Sequence, residues 1–304
     1  MAMPRELGRR CLEHFKTGFP ELYGKCIRNG IEKQPTENLE FTLDGRGLQY
    51  LNSVFRYPLA RKEGATALFK LLGNMRNLVI LDAFGGNGYL TRISKEIGTG
   101  AKIITNDISS FMVLCSMELG NPTTWQSADD LFLMKDGCSD AVVMAYGTHH
   151  LPVARRLPAL QEAYRVLKKG GKLLLHDFEN DSSMARFFRE VVERYSVTGH
   201  NHAHFDREKT LLLFRNAGFR ETSVTTLHDD FVFRNGSEKE SLADLLEYFY
   251  LMYGLEKLGD MRAQKTKDKL YALINEYLGT KCSRSGKEWE CRASREAVVF
   301  IGEK

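Results

Sequence analysis

The chain has 304 residues, enough for one or two domains with a full core, and its 43% apolar and 27% charged residues suit a globular protein. No run approaches the ~18 apolar residues of a membrane span, and MAMPRELGRRCLEHF lacks the apolar centre of a signal peptide, so a cytoplasmic protein without membrane contact is expected. A net charge of +4 is too small to imply a nucleic-acid partner, and the basic residues between Arg262 and Arg295 alternate with Asp268, Glu276, Glu288 and Glu290, as on a solvated face.

Residues 1–70 show no strand alternation; helix-like stretches at 6–15 and 60–72 flank a turn-rich middle around Pro35 and Asp44. From about 77 to 228, strand-like segments (78–83, 102–107, 140–145, 172–177 and 221–227) alternate with helical patterns such as 157–167 and 206–217. Such alternation implies a mainly parallel sheet with helices on both faces. Residues 237–280 read as helical again, and the dense aromatics Tyr248, Phe249, Tyr250 and Tyr253 suit packing better than a pocket. A last strand is expected at 296–303. The six cysteines, at 11, 26, 115, 138, 282 and 291, lie far apart without a CxxC pair, which favours reduced structural thiols over a zinc or disulfide framework.

The most informative stretch is LVILDAFGGNGYL, residues 78–90. An apolar run ends on Asp82, a turn carries Gly85, Gly86 and Gly88, and a helix-like segment follows. Glycines allow a sharp turn and close approach to a ligand, and the helix start behind them offers free N–H groups. Asp107 ends the next strand, 107 − 88 = 19 residues after Gly88, where a carboxylate can accept hydrogen bonds from ribose hydroxyls. With SADDLFLMKDGCSDAVVMAYGTHHLP, VLKKGGKLLLHDF and LLLFRNAGF following in order, the chain resembles a class I S-adenosylmethionine (SAM)-dependent methyltransferase over roughly residues 75–230 and 296–304.

That resemblance implies a doubly wound, seven-stranded Rossmann-like α/β sheet with its last strand antiparallel. It implies an N-terminal helical lid or substrate region (1–72), a methyltransferase domain (73–304) and a helical insert (about 235–290) before the last strand. The cofactor residues it implies are Asp82, Gly86, Gly88, Asp107, Ile108, Ala128 and Asp129. Phe84 departs from the family's first glycine, and Ser127 stands at its usual acidic position. The acceptor implied is a small molecule, with the N-terminal region as a lid or a homodimer interface. Arg46 or Arg56, in that region, could bind a substrate carboxylate.

Histidines crowd the carboxyl ends of the strands: His149 and His150 after the fourth, His176 at the end of the fifth beside Asp177, and His200, His202 and His204 in GHNHAHF. Two readings stay open. His149, His176 and His204 form a divalent metal site for zinc or iron, or His176, with His149, does metal-free catalytic work as a base. With a metal, a 2-oxo acid could be chelated and methylated on carbon; without one, an oxygen or nitrogen acceptor fits. The rival readings are an RNA or protein methyltransferase, though the Asn/Asp-Pro-Pro-aromatic signature is replaced by Tyr146-Gly147-Thr148, and a SAM-binding module without catalysis.

Overall fold

The computed structural model describes residues 4–28, 33, 35, 36 and 39–304; part of the turn-rich middle expected around Pro35 lies outside them. Ten strands are present among the described residues: β1 (Val79–Asp82), β2 (Lys102–Asp107), β3 (Thr123–Trp125), β4 (Ser139–Met144), β5 (Leu167–Asp177), β6 (Glu221–His228), β7 (Phe231–Asn235), β8 (Thr280–Ser285), β9 (Glu288–Ala293) and β10 (Glu296–Glu303). Seven form one sheet in the order β3-β2-β1-β4-β5-β10-β6. Only β10 runs against the rest, pairing antiparallel with β5 and β6. β1 is buried at every position, as expected of a strand covered by helices on both faces.

The strand order reverses beside β1, and ligands of open α/β sheets bind at such a point, outside the carboxyl ends of the strands. Asp82, Asp107, Met144 and Asp177 are the last residues of β1, β2, β4 and β5. N-terminal helices Pro4–Gly18 and Gly47–Arg56 pack on this framework, the second against helix Glu238–Met252.

The insert before β10 differs from the helical expectation. It contains helices Glu238–Met252 and Gln264–Leu278, but residues 280–293 form the hairpin β8–β9, which with β7 makes a second sheet of order β7-β9-β8. Hairpin pairing sets Cys282 directly opposite Cys291, and the two are joined as a disulfide, which corrects the expectation of six reduced thiols. Linear spacing hid the pair because the turn at Gly286 folds it back on itself. Tyr248, Phe249 and Tyr253 are buried in the core around helix Glu238–Met252, in keeping with a packing role. No helix among the described residues is long and apolar enough to cross a membrane.

Candidate active site

The Gly-rich turn leaves β1 through Ala83 and Phe84. Gly85 fills a place that tolerates no side chain, since a Cβ there would lie 2.5 Å from Thr105 Cγ2. Gly86 (φ 54°) and Gly88 (φ 80°) hold left-handed backbone, and Gly88 caps helix Tyr89–Glu96. Thus Phe84 is accommodated because Gly85, one place on, takes the close packing. Asp107 fastens the turn from β2: the Gly86 amide donates to its Oδ2 at 2.9 Å and the Ser109 amide to its Oδ1 at 2.8 Å. Burial pushes the Asp107 carboxyl up to about 6, with the Ser109, Gly86 and Ile108 amides opposing the rise. Asp82 sits beneath the turn with both oxygens buried and no hydrogen-bond partner of good geometry. Burial, then the neighbouring Asp107, raises its carboxyl far above the ordinary range, partly offset by the Phe84 amide.

A cavity of about 280 Å³ opens over this turn. Ala83, Phe84, Gly86, Asp107, Ile108, Ser127 and Ala128 line it, and so do Phe41 and Tyr50 from the N-terminal segment and Tyr146, Gly147 and His150 after β4. Tyr146 has φ 60°, a strained value for a non-glycine residue of the kind functional sites retain. Of the seven cofactor residues expected from sequence, Gly86, Asp107, Ile108 and Ala128 line the cavity, while Asp82 and Gly88 lie in the turn's surroundings and do not. Asp129 does not line it; its carboxylate is engaged by Arg155 and Ser127, which do.

Sequence reasoning grouped His149, His176 and His204, and the structure does not. Successive strand residues point to opposite faces, so His176 and Asp177 part company at the end of β5. His176 Nε2 lies 3.0 Å from Asp229 Oδ2, fully buried, and Arg295 donates to the same carboxylate oxygen at 2.5 Å. His176 does not line the cavity. Tyr146, which does, stacks on its ring at 4.6 Å and donates its hydroxyl to Asp229 Oδ1 at 3.4 Å. On the other face His149 Nδ1 lies 3.0 Å from Asp177 Oδ2, and His204 Nδ1 lies 3.5 Å from Asp177 Oδ1. Burial pushes the His149 imidazole down to about 4, against the pull of Asp177, so it is neutral at neutral pH.

A second cluster, Glu40 with His150, His200 and His202, adjoins the first; the His149 and His150 rings are 4.4 Å apart. Sequence reasoning missed Glu40, Asp229, Tyr50 and Arg61. Arg61, buried, stacks over Tyr89 and Tyr146 at 4.4 and 4.8 Å. The two arginines expected at a substrate carboxylate are otherwise engaged. Arg46 is buried against Glu40 and the Met252 carbonyl, and Arg56 pairs with Glu247 at the surface.

A seven-stranded sheet with one reversed strand, a glycine turn after β1 and an acidic residue ending β2 are the features of the class I SAM-dependent methyltransferase fold. In agreement, residues 81–175 match the family model described as "Methyltransferase domain". Over 114 residues, 35% of this chain, it is 31% identical to the ubiquinone/menaquinone biosynthesis C-methyltransferase UbiE of Escherichia fergusonii, of which 45% is covered. It is 30% identical over 125 residues (38% of this chain, 48% of the relative) to UbiE of a Marinomonas species. The chain spans about half the length of these curated relatives. Two solved structures share the fold. A possible histamine N-methyltransferase of Thermotoga maritima has a TM-score of 0.51 at 20% identity, covering 85% of this chain and 96% of that one. Phosphoethanolamine N-methyltransferase 2 of Haemonchus contortus, complexed with SAM, has a TM-score of 0.54 at 16% identity, covering 88% and 59%.

Proposed function

We propose that this chain transfers the methyl group of SAM to a small-molecule acceptor. The observation that carries the reading is the cavity over the Gly-rich turn, which Gly86, Asp107, Tyr50, Tyr146 and His150 line together. The residues fit SAM on independent grounds. Asp82 is a buried, unpartnered carboxylate under the turn, and Gly86 and Gly88 hold the left-handed turn that an approaching ligand needs. Asp107 keeps capacity for ribose hydroxyls beyond its two amide bonds. When bound, SAM supplies an electrophilic methyl group.

The rest is positioning. Holding an acceptor in line accounts for much of such a reaction's acceleration. Phe41 and Tyr50 close the cavity from the N-terminal segment and exclude water, the role expected of a lid. Burial keeps the Tyr146 hydroxyl protonated, and its proton is directed at Asp229, so the ring is held in place and does not act as a base. His176, Asp229 and Arg295 act on the acceptor only through Tyr146, as positioning residues. His150, lowered first by burial and therefore neutral, is in the form that accepts a proton or a metal ion.

The finer reading is methylation on carbon, supported by the UbiE relatives, whose name is that of a C-methyltransferase. A 2-oxo acid is one such acceptor. Transfer of labelled methyl from SAM into a metabolite extract, with the product resolved by mass spectrometry, tests the reading. Label in a small product from the intact protein is the expected result. Binding of S-adenosylhomocysteine with no label transferred to any metabolite fraction would overturn it in favour of a non-catalytic module.

A further inference from the structure

We infer that Glu40, His150, His200 and His202 form a binding site for a zinc-class divalent metal ion at the edge of the cavity. The ligand atoms are already spaced for it. Glu40 Oε2 lies 3.0 Å from His150 Nδ1 and 3.5 Å from His202 Nε2, and those two nitrogens are 3.1 Å apart. Four ligands at ~2.0–2.1 Å on tetrahedral corners lie ~3.3 Å from one another. One nitrogen or oxygen of each of the four residues falls within 4.8 Å of all the others.

A second observation is independent of that spacing. His200 is 4% exposed, and neither of its ring nitrogens has a hydrogen-bond partner among the described residues. It stacks on Phe188 at 4.2 Å, which fixes its ring beside the other three. Hydrogen bonding alone accounts for Glu40, His150 and His202 but leaves this buried imidazole with nothing to bind. A cation between the four gives it a partner.

The surroundings are those of a metal site. Arg46 holds the Glu40 oxygen that faces away, Oε1, through two nitrogens at 2.9 and 2.8 Å, so Oε2 is the one presented. An opening lined by Asp44, Gly199, His200, Asn201 and His202 reaches the surface and gives an ion its path in. His150 reaches the cofactor cavity on the other side. The neighbouring trio of His149, Asp177 and His204 is less suited. Both Asp177 oxygens already accept backbone amides, from His149 and Phe178 at 2.8 Å, so it buttresses His149 behind His150.

Three imidazoles and one carboxylate suit Zn²⁺, and displacement of one ligand would leave a position for an oxygen donor of the acceptor. The ion's use in methyl transfer rests on the function proposed above; its binding does not.

The test is metal binding to the full chain after chelator treatment, read by calorimetry with Zn²⁺ and by the visible spectrum with Co²⁺. One ion per chain with the intense bands of tetrahedral cobalt is expected. Glu40→Gln and His202→Gln should each weaken it about 10–100-fold, while His204→Gln stays within a few-fold. Thermal melts of the metal-free variants confirm that they fold. Absence of stoichiometric uptake by the wild type would overturn the inference. So would loss of binding in His204→Gln with retention in Glu40→Gln, which moves the ion to the Asp177 cluster. S-adenosylhomocysteine titrated into the same samples keeps the two readings apart, since its failure to bind would count against the methyltransferase function alone.

Discussion

Replacing Asp107 should weaken cofactor binding in a pH-dependent manner that reveals its role. The carboxylate ties down the Gly86 and Ser109 amides, and its pKa of about 6 means that a proton competes with ribose hydroxyls near neutrality. If only the ionised form binds, S-adenosylhomocysteine affinity should fall about tenfold from pH 7 to pH 5, as expected one unit below that pKa. In Asp107→Ala, loss of a charged hydrogen bond is worth ~1.5–3 kcal/mol, or about 10–150-fold at pH 7. Two turn amides are freed as well, which pushes the result toward the larger figure. Asp107→Asn keeps an acceptor oxygen for one amide, so its weaker binding should be flat with pH. In the ligand-free chain the raised pKa works in the opposite direction. The folded state takes up its proton near pH 6, before the unfolded chain does near ~3.9, so the strain from this carboxylate eases as pH falls through 6. Calorimetry from pH 5 to 8 reads all three variants. Unchanged affinity in Asp107→Ala, or flat binding in the wild type, would refute the assignment.

Three further outcomes are expected. Tyr146→Phe, which unties the ring from Asp229, should bind S-adenosylhomocysteine as the wild type does but lose about 10²-fold in methyl transfer to whichever product the labelling assay identifies, the scale of a misplaced acceptor; unchanged turnover would remove Tyr146 from the positioning of the acceptor. Gly64→Ala places a Cβ 1.6 Å from Asp229 Oδ1, so the helix or the carboxylate must move, and a melting temperature within a degree or two of wild type would contradict the packing described. Arg295→Met takes the guanidinium away from the fully buried Asp229 carboxylate and should cost ~3–5 kcal/mol in denaturant unfolding.

Strands 102–107 and 296–303 are found where the sequence indicates them, because each is buried through its middle and reads as an apolar run with polar ends. β3 was missed: Thr-Thr-Trp is too short and polar to show alternation. The β8–β9 hairpin was missed for a related reason, since β8 is largely exposed along its length and no apolar face marks it. On the cofactor side, Gly86 and Asp107 were legible because a local motif specifies them. Glu40 and Asp229 carry no local signal; they become site residues only when the fold brings distant segments together. The histidines were visible as a set, but their division between two faces of β5 depends on strand orientation, which linear spacing does not convey.

The base of the insert has a bearing on how this chain can be altered. Asp229 follows β6 and Arg295 precedes β10, and the two are joined by three contacts. The Asp229 amide donates to the Arg295 carbonyl, and the guanidinium reaches back to both the carbonyl and the carboxylate of Asp229. The chain therefore departs from the sheet and re-enters it through a clasp one hydrogen bond wide. The register of β6 against β10 is therefore set at this junction, while residues 230–294 are held separately, by a core shared with helix Gly47–Arg56 and with Phe178 after β5. That junction also touches His176 and Tyr146, so a change in the excursion that strained the clasp would reach the cavity wall through Tyr146.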